Sequence, residues 1–487
     1  MILFRNSRLH TPPSESKNAD LLIDDNGIIK TGRFESMPEC MILENKFLLP
    51  GYIDSHIHLL EHGLLLLFLD LREVSRSHEV LEMLAEKLNE AQEHGFLYAF
   101  NLAPERLKES NWEPSSDELD RISKDIPIFV RREDGHSVYM NRAARRWLLY
   151  DQPIETANEP LIGRFNELAV ERMQERIPRD IRVEAFKLAD HDLLSKGVTS
   201  AGIMTGNDMT LDDVEIINSL GAGLKLTAHI FPQNKDIKRV CEYNLTRLGG
   251  CILIDGSLGS RTAALREPYS DAPGNNGILY FSKKELYQLV QSANDAGLQM
   301  TFHAIGDEAI ELILNVYEKV IGKGNPLRHR IEHAELLPPD LIEKTARLGI
   351  ILSVQPLFEI IWGWDTGMYS ERLGERRRWT NPFSSAKKAG IKLAAGSDAP
   401  ITTPDPDEGI KAFLNHPIKE ERITVEEALQ AYTSNAAYAL HAENEIGSIK
   451  DGLEADLLVF DKDPYLTLDF RPKAVIKKGK LVSGLLP

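Results

Sequence analysis

Along most of the chain, short apolar runs rich in β-branched residues alternate with longer stretches whose apolar positions recur every three to four residues. The first pattern fits buried strands, and the second fits helices with one face on a core. Eight strand-like runs stand out: Tyr52 to His56, Val198 to Ile203, Leu224 to Ile230, Cys251 to Asp255, Gln299 to His303, His329 to His333, Ile350 to Val354 and Lys392 to Gly396. Between them, Ser282 to Ala296 carries Leu286, Leu289, Val290 and Ala293 at helical spacing, with Ser282 as N-cap and Glu285 three residues on. Glu308 to Ile321 and Pro339 to Leu348 read the same way, as does Thr424 to Ala439 with Thr424 capping and Glu427 three residues later. Alternating strands and helices predict a parallel sheet with crossover helices, and eight such strands close a (β/α)8, TIM-like barrel.

Two regions depart from that repeat. Residues 59–197 hold far more chain than one crossover needs, and include apolar runs at Leu97 to Leu102 and Ile126 to Val130 after a helical stretch, Ser77 to Glu93. They read as an α/β insertion, at about 60–190, leaving the end of the first barrel strand. The two chain ends are the other departure. Leu21-Leu22-Ile23 and Ile28-Ile29 flank the turn Asp25-Asn26-Gly27, while Ala455 to Phe460, Ala474-Val475-Ile476 and Leu481-Val482 supply strands near the other end. Neither end has enough apolar residues for its own core. The expected organisation is therefore one small β-sandwich domain from 1–50 and 447–487, with the catalytic barrel spanning 51–446.

Composition narrows the class. The chain has 487 residues, 42% hydrophobic and 27% charged, with a net charge of −17, which argues against nucleic acid or an anionic membrane surface as partner. Three cysteines without paired spacing fit a reducing compartment better than a disulfide framework. The opening MILFRNSRLHTPP lacks a secretion signal's apolar core, and Leu64 to Leu69 is too short to span a bilayer. A cytoplasmic protein acting on a small molecule is expected, and a homo-oligomer is left open.

The chemistry gathers at strand ends. In Asp54-Ser55-His56-Ile57-His58, residues two apart share a face, so His56 and His58 project together as half of a metal site. His303, His333 and Asp398 each close or follow a later run, where a barrel's side chains converge on one mouth. His62, His94, His191, His329 and His441 lack that context and are assigned no role.

The blocks PGYIDSHIH, FHAIGD, RIEHA and GSDAP together resemble the amidohydrolase superfamily of metal-dependent hydrolases. GSLGSRTA (Gly256 to Ala263), the DGH of Asp134 to His136 and IGSIKDGLEADLLVFDKDP (Ile446 to Pro464) resemble its N-substituted formamide deformylase-like and YtcJ-like branch. The resemblance implies His56, His58, His303, His333 and Asp398 as metal ligands, with Asp398 also moving the proton of the attacking water. It implies one or two divalent metals per chain, zinc being favoured by the nitrogen-rich ligands. It places Arg131, Arg132 and His136 along the substrate pocket. The implied reaction is hydrolysis of a C–N bond in an amide, formamide or cyclic amide. C–O hydrolysis, deamination, isomerisation and decarboxylation are alternatives on the same barrel, and a catalytically dead relative is opposed by the presence of every ligand. One position departs from the family pattern. Cys251 stands where many members carry a carboxylated lysine bridging two metals, four residues before Asp255. A buried inert thiol and a single tightly held metal are the expectation; a thiolate completing a two-metal site is the alternative.

Overall fold

In the computed structural model, which describes residues 1–13, 16–34, 40–109, 112–151, 160–208, 210–322 and 324–486, all eight runs are strands. They are β1 (Tyr52–Ile57), β2 (Val198–Thr205), β3 (Thr227–Pro232), β4 (Arg247–Leu253), β5 (Gln299–Ala304), β6 (Arg330–His333), β7 (Ile351–Val354) and β8 (Leu393–Ala395). They form two parallel sheets, a three-stranded one ordered β3-β2-β1 and a five-stranded one running β4 to β8. β3 lies next to β4, and β8 next to β1. Just past β8, Asp398 N donates to His56 O at 2.8 Å, and His58 N donates to Ala399 O at 3.0 Å. That approach needs Gly396, where a Cβ would lie 2.6 Å from His56 N.

The amphipathic stretches are helices as expected. In Lys283–Asp295, Leu286, Val290 and Ala293 are buried, and Ser282 and Glu285 form the reciprocal N-terminal cap. Burying each such leucine or valine contributes about 1.5–3 kcal/mol. Two expected helices are interrupted. The stretch after Thr424 splits into Val425–Ala431 and Ser434–Ala439, because the Thr433 hydroxyl bonds back to Leu429 O at 2.6 Å while its backbone leaves helical geometry. The stretch from Ser77 likewise divides at Lys87, whose N–H turns to the Ala85 and Met83 carbonyls. β4 starts four residues earlier than the sequence pattern indicates, since Gly249 and Gly250 hide its apolar alternation.

The insertion builds a five-stranded mixed sheet, ordered Leu161–Ile162, Ser137–Met140, Ile128–Arg132, Leu97–Leu102 and Leu69–Asp70. It is framed by helices α1 (Leu59–Leu67), α2 (Gly163–Arg176) and α3 (Arg179–Ser195), with α1 packed on α3. Among the described residues, no helix is long and apolar enough to cross a membrane.

Strands from both chain ends share one eight-stranded sheet, where the sequence predicts a sandwich. Its centre is the antiparallel pairing of Phe47–Pro50 with Leu457–Phe460. One apolar cluster beneath it joins Phe4, Leu21, Ile23 and Leu48 to Leu457, Val459 and Ile476. Deleting residues 447–487 uncovers that cluster, a loss comparable to a domain's whole stability margin. The truncated chain is expected to aggregate in size-exclusion chromatography; a monodisperse, thermally stable truncation contradicts this account.

Candidate metal centre

The two histidines at the end of β1 do project together. His56 lies in the strand and His58 caps the start of α1. Asp54, one pleat earlier, holds this segment to the loop after β8 by accepting from His56 N and Ser397 N, both at 3.1 Å. Asp398 follows that loop, and its Oδ1 sits 3.1 Å from His56 Nε2 and 3.3 Å from His58 Nε2. His333 ends β6. Both His333 (φ 69°) and Asp398 (φ 55°) adopt the left-handed backbone that non-glycine residues avoid, which marks them as positions held by their surroundings.

Cys251 reaches this group from β4. Its Sγ lies 3.2 Å from His58 Nε2 and 3.5 Å from His56 Nε2. So short a side chain arrives there because β4 bulges. Gly249 (φ 108°) and Gly250 (φ 95°) break the register with β5, and a Cβ on either would lie within 2 Å of Thr301 O or Met204 Sδ. Two sets of donor atoms result, each within 4.8 Å: His56, His58, Cys251 and Asp398, and then Cys251, His303 and His333. Cys251 belongs to both.

The imidazoles are oriented from behind. His56 Nδ1 donates to Glu332 Oε2 at 2.6 Å, His333 Nδ1 to Gln355 Oε1 at 2.8 Å, and His303 Nε2 to Gly256 O at 3.1 Å. Each acceptor fixes its ring so that the opposite nitrogen is turned toward the donor group; His333 Nε2 is buried with no hydrogen-bond partner among the described residues. Glu332 is fully buried and also accepts from Arg330 and the Thr301 hydroxyl. Burial would raise its carboxyl, but Arg330 and His56 hold it down to about 2. Burial also opposes ionisation of Cys251 and Asp398, yet the positive charge of His56 and His58 keeps the thiol and the carboxyl well below their usual ranges. In turn, and against burial, the thiolate and carboxylate raise His56 and take His58 up to about 10, so that without a metal these rings hold protons. A divalent metal would take the place of those protons, with the oriented imidazoles, the thiolate and the carboxylate as its ligands.

The insertion covers one side of the centre. Asp134 accepts from His136 N at 3.1 Å, Ser257 Oγ at 3.0 Å and Ser260 Oγ at 2.9 Å, docking the DGH turn on the loop after β4. His136 thereby sits 5.3 Å from the His303 ring, and burial together with His303 lowers it to about 4, so it is neutral at pH 7. Arg131 lines the cleft but is paired with Glu61 at 2.5 Å. Arg132 is held by Glu105 and Asp134 and does not line it. The cleft encloses about 820 Å³, with His58, Cys251, His303 and Asp398 at its floor. Glu332, Gln355 and Asp134 had no role assigned from sequence. The buried alternation Arg330-Ile331-Glu332 is the signal that was available, since buried charges must be paired.

These features define a metal-dependent hydrolase of the amidohydrolase family: the family's model matches residues 43–483, and the chain belongs to it. Among its relatives, YtcJ of Bacillus subtilis is 29% identical over 94% of this chain and 93% of that one. N-substituted formamide deformylase of Arthrobacter pascens is 25% identical over 89% of this chain and 87% of its own. The crystal structure of an uncharacterized metal-dependent hydrolase from Pyrococcus horikoshii OT3 is 28% identical, with a TM-score of 0.79 over 99% of both chains. Family membership and the donor sets support hydrolase activity with a divalent metal.

Glu332→Gln keeps the shape but leaves Arg330 without a counter-charge. Breaking a buried pair costs on the order of 3–5 kcal/mol, and losing the orienting acceptor weakens metal affinity about 10–100-fold. Thermal unfolding and competitive chelator titration check both; unchanged values mean that Glu332 does not orient His56.

Proposed function

We propose that the chain hydrolyses a C–N bond of an amide, formamide or cyclic amide at this centre. The carrying observation is Cys251's place in both donor sets, which joins the β1 histidines and Asp398 to His303 and His333 around one point on the cleft floor. Zinc bound by these residues would lower the pKa of a water to about 7 and polarise the scissile carbonyl. Asp398, ionised and facing the cleft, takes the proton of the attacking water and returns it to the leaving amine. His136, neutral and beside His303, donates a hydrogen bond to the carbonyl oxygen as it gains charge. A formamide or related amide is favoured because a relative named N-substituted formamide deformylase aligns along most of its length.

The shared Cys251 favours two metals over the single one expected from sequence. The bulge supplies the closer approach that a short side chain needs. We further take β1 to β8 as one closed barrel, with residues 1–50 and 447–487 as a composite domain outside the chemistry. The confined cleft suits a small molecule, and the charge of −17 disfavours nucleic acid and anionic membrane surfaces. The free cysteines suit a cytoplasmic location. Turnover assays separate C–N hydrolysis from the other reactions this barrel supports.

Asp398→Asn preserves shape but cannot accept a proton, so kcat on N-formyl and N-acyl amines is expected to fall about 10²–10⁴-fold. Near-wild-type kcat would remove Asp398 from proton transfer. For Cys251→Ala, elemental analysis should show two metal equivalents per chain falling to about one, with most activity lost, because a methyl group cannot replace a thiolate ligand. Full metal content and activity in that variant restore the inert-thiol reading.

A further inference from the structure

On the outer wall of the cleft, α2 presents Glu167 and Glu171 to the cavity. Residues four apart share a helix face, where like charges repel. Neither carboxylate is engaged in a hydrogen bond or close ion pair among the described residues. Lys235, the cation of the facing wall, is held by Asp208 at 2.6 Å and lies over the Phe281 ring. Burial, then the neighbouring acids, push Glu167 and Glu171 up to about 7; Lys235 and, from their own helix, Arg164 and Arg172 offset this only in part. Asp208 faces both, and Glu175 adds to the repulsion at Glu171.

A second feature points the same way. Asn166 is 4% exposed and lines the same cleft. Its Nδ2 donates to Gly135 O at 3.2 Å, which sets the direction of the amide, and its Oδ1 is buried with no donor among the described residues. Leaving a buried acceptor unsatisfied is unfavourable, as is facing two carboxylates across a half-buried wall. A group bringing N–H donors and positive charge would relieve the two carboxylates and, with a small shift of the Asn166 amide, would also meet its Oδ1.

We propose that this wall is a subsite for the cationic end of the substrate, an amide carrying a protonated amine that Glu167 and Glu171 bind while its C–N bond lies at the metal centre. The proposal rests on the hydrolase reading for the position of the bond, so its test uses binding alone.

Isothermal titration calorimetry of the metal-loaded protein at neutral pH compares pentane-1,5-diamine with pentane-1,5-diol, in wild type and in Glu167→Gln/Glu171→Gln. The diamine should bind about tenfold or more tighter than the diol, the worth of one hydrogen bond between charged groups. The double variant should erase that preference, and each single variant should lose part of it. Diamine binding to wild type should also release protons, measured in buffers of different ionisation enthalpy, because the cation favours the ionised carboxylates; the double variant should not. Equal affinities for the two probes, or a preference that survives in a folded double variant, overturns the subsite. Deformylation of N-formylpentane-1,5-diamine, which carries the protonated amine, is assayed separately. Its absence counts against the hydrolase reading and leaves the binding comparison to decide the subsite.

Discussion

The carboxylate of Glu332 is the contact on which the centre depends. It is fully buried, and it accepts from His56 on β1, Thr301 on β5 and Arg330 on β6. Arg330 in turn donates to Ser55 O on β1 at 3.0 Å. One charged network therefore ties the three-stranded sheet to the five-stranded sheet behind the donor atoms. Separating buried opposite charges is costly, so the network favours a single arrangement of these strands; Arg330 Nη1 has no hydrogen-bond partner among the described residues, and its guanidinium lies over the Phe231 ring. Glu332 also makes His56 Nδ1 a donor, since an ionised carboxylate accepts only from an N–H.

A second constraint acts from β4. The Gly249–Gly250 bulge has room for no side chain and displaces the strand where Cys251 follows. The reach of the Cys251 thiol thus depends on the backbone geometry of the two residues before it. The left-handed backbones of His333 and Asp398 belong to the same economy, with unfavourable local conformations held in place by surrounding hydrogen bonds.

The insertion divides the cleft into two electrostatic zones. Near the floor Asp134 is matched by two hydroxyls and Arg132, and Glu61 by Arg131 and Gln174. On the outer wall Glu167 and Glu171 have no such partner among the described residues. A barrel supplies converging strand ends, and loops and insertions decide what may approach them. Here the floor comes from the ends of β1, β4, β5 and β8, while α2 contributes a wall carrying Glu167 and Glu171.

By itself, the sequence determined the periodic features. Period-two spacing put His56 and His58 on one face, eight apolar runs marked the parallel strands, and Ser282 with Glu285 marked a helix start. Each depends on residues a few positions apart, where covalent geometry sets direction. The position of Cys251 was also legible as an anomaly, though its reach was not, because a glycine pair erases the alternation from which a bulge could be read. Tertiary structure alone decided the rest. His56 and Glu332 meet across 276 residues of chain, and Arg132 turns away from the cleft because Glu105 and Asp134 happen to lie beside it. Such pairings arise from how distant strands and loops pack, and no local pattern of apolar and polar residues encodes which buried charge will find which partner.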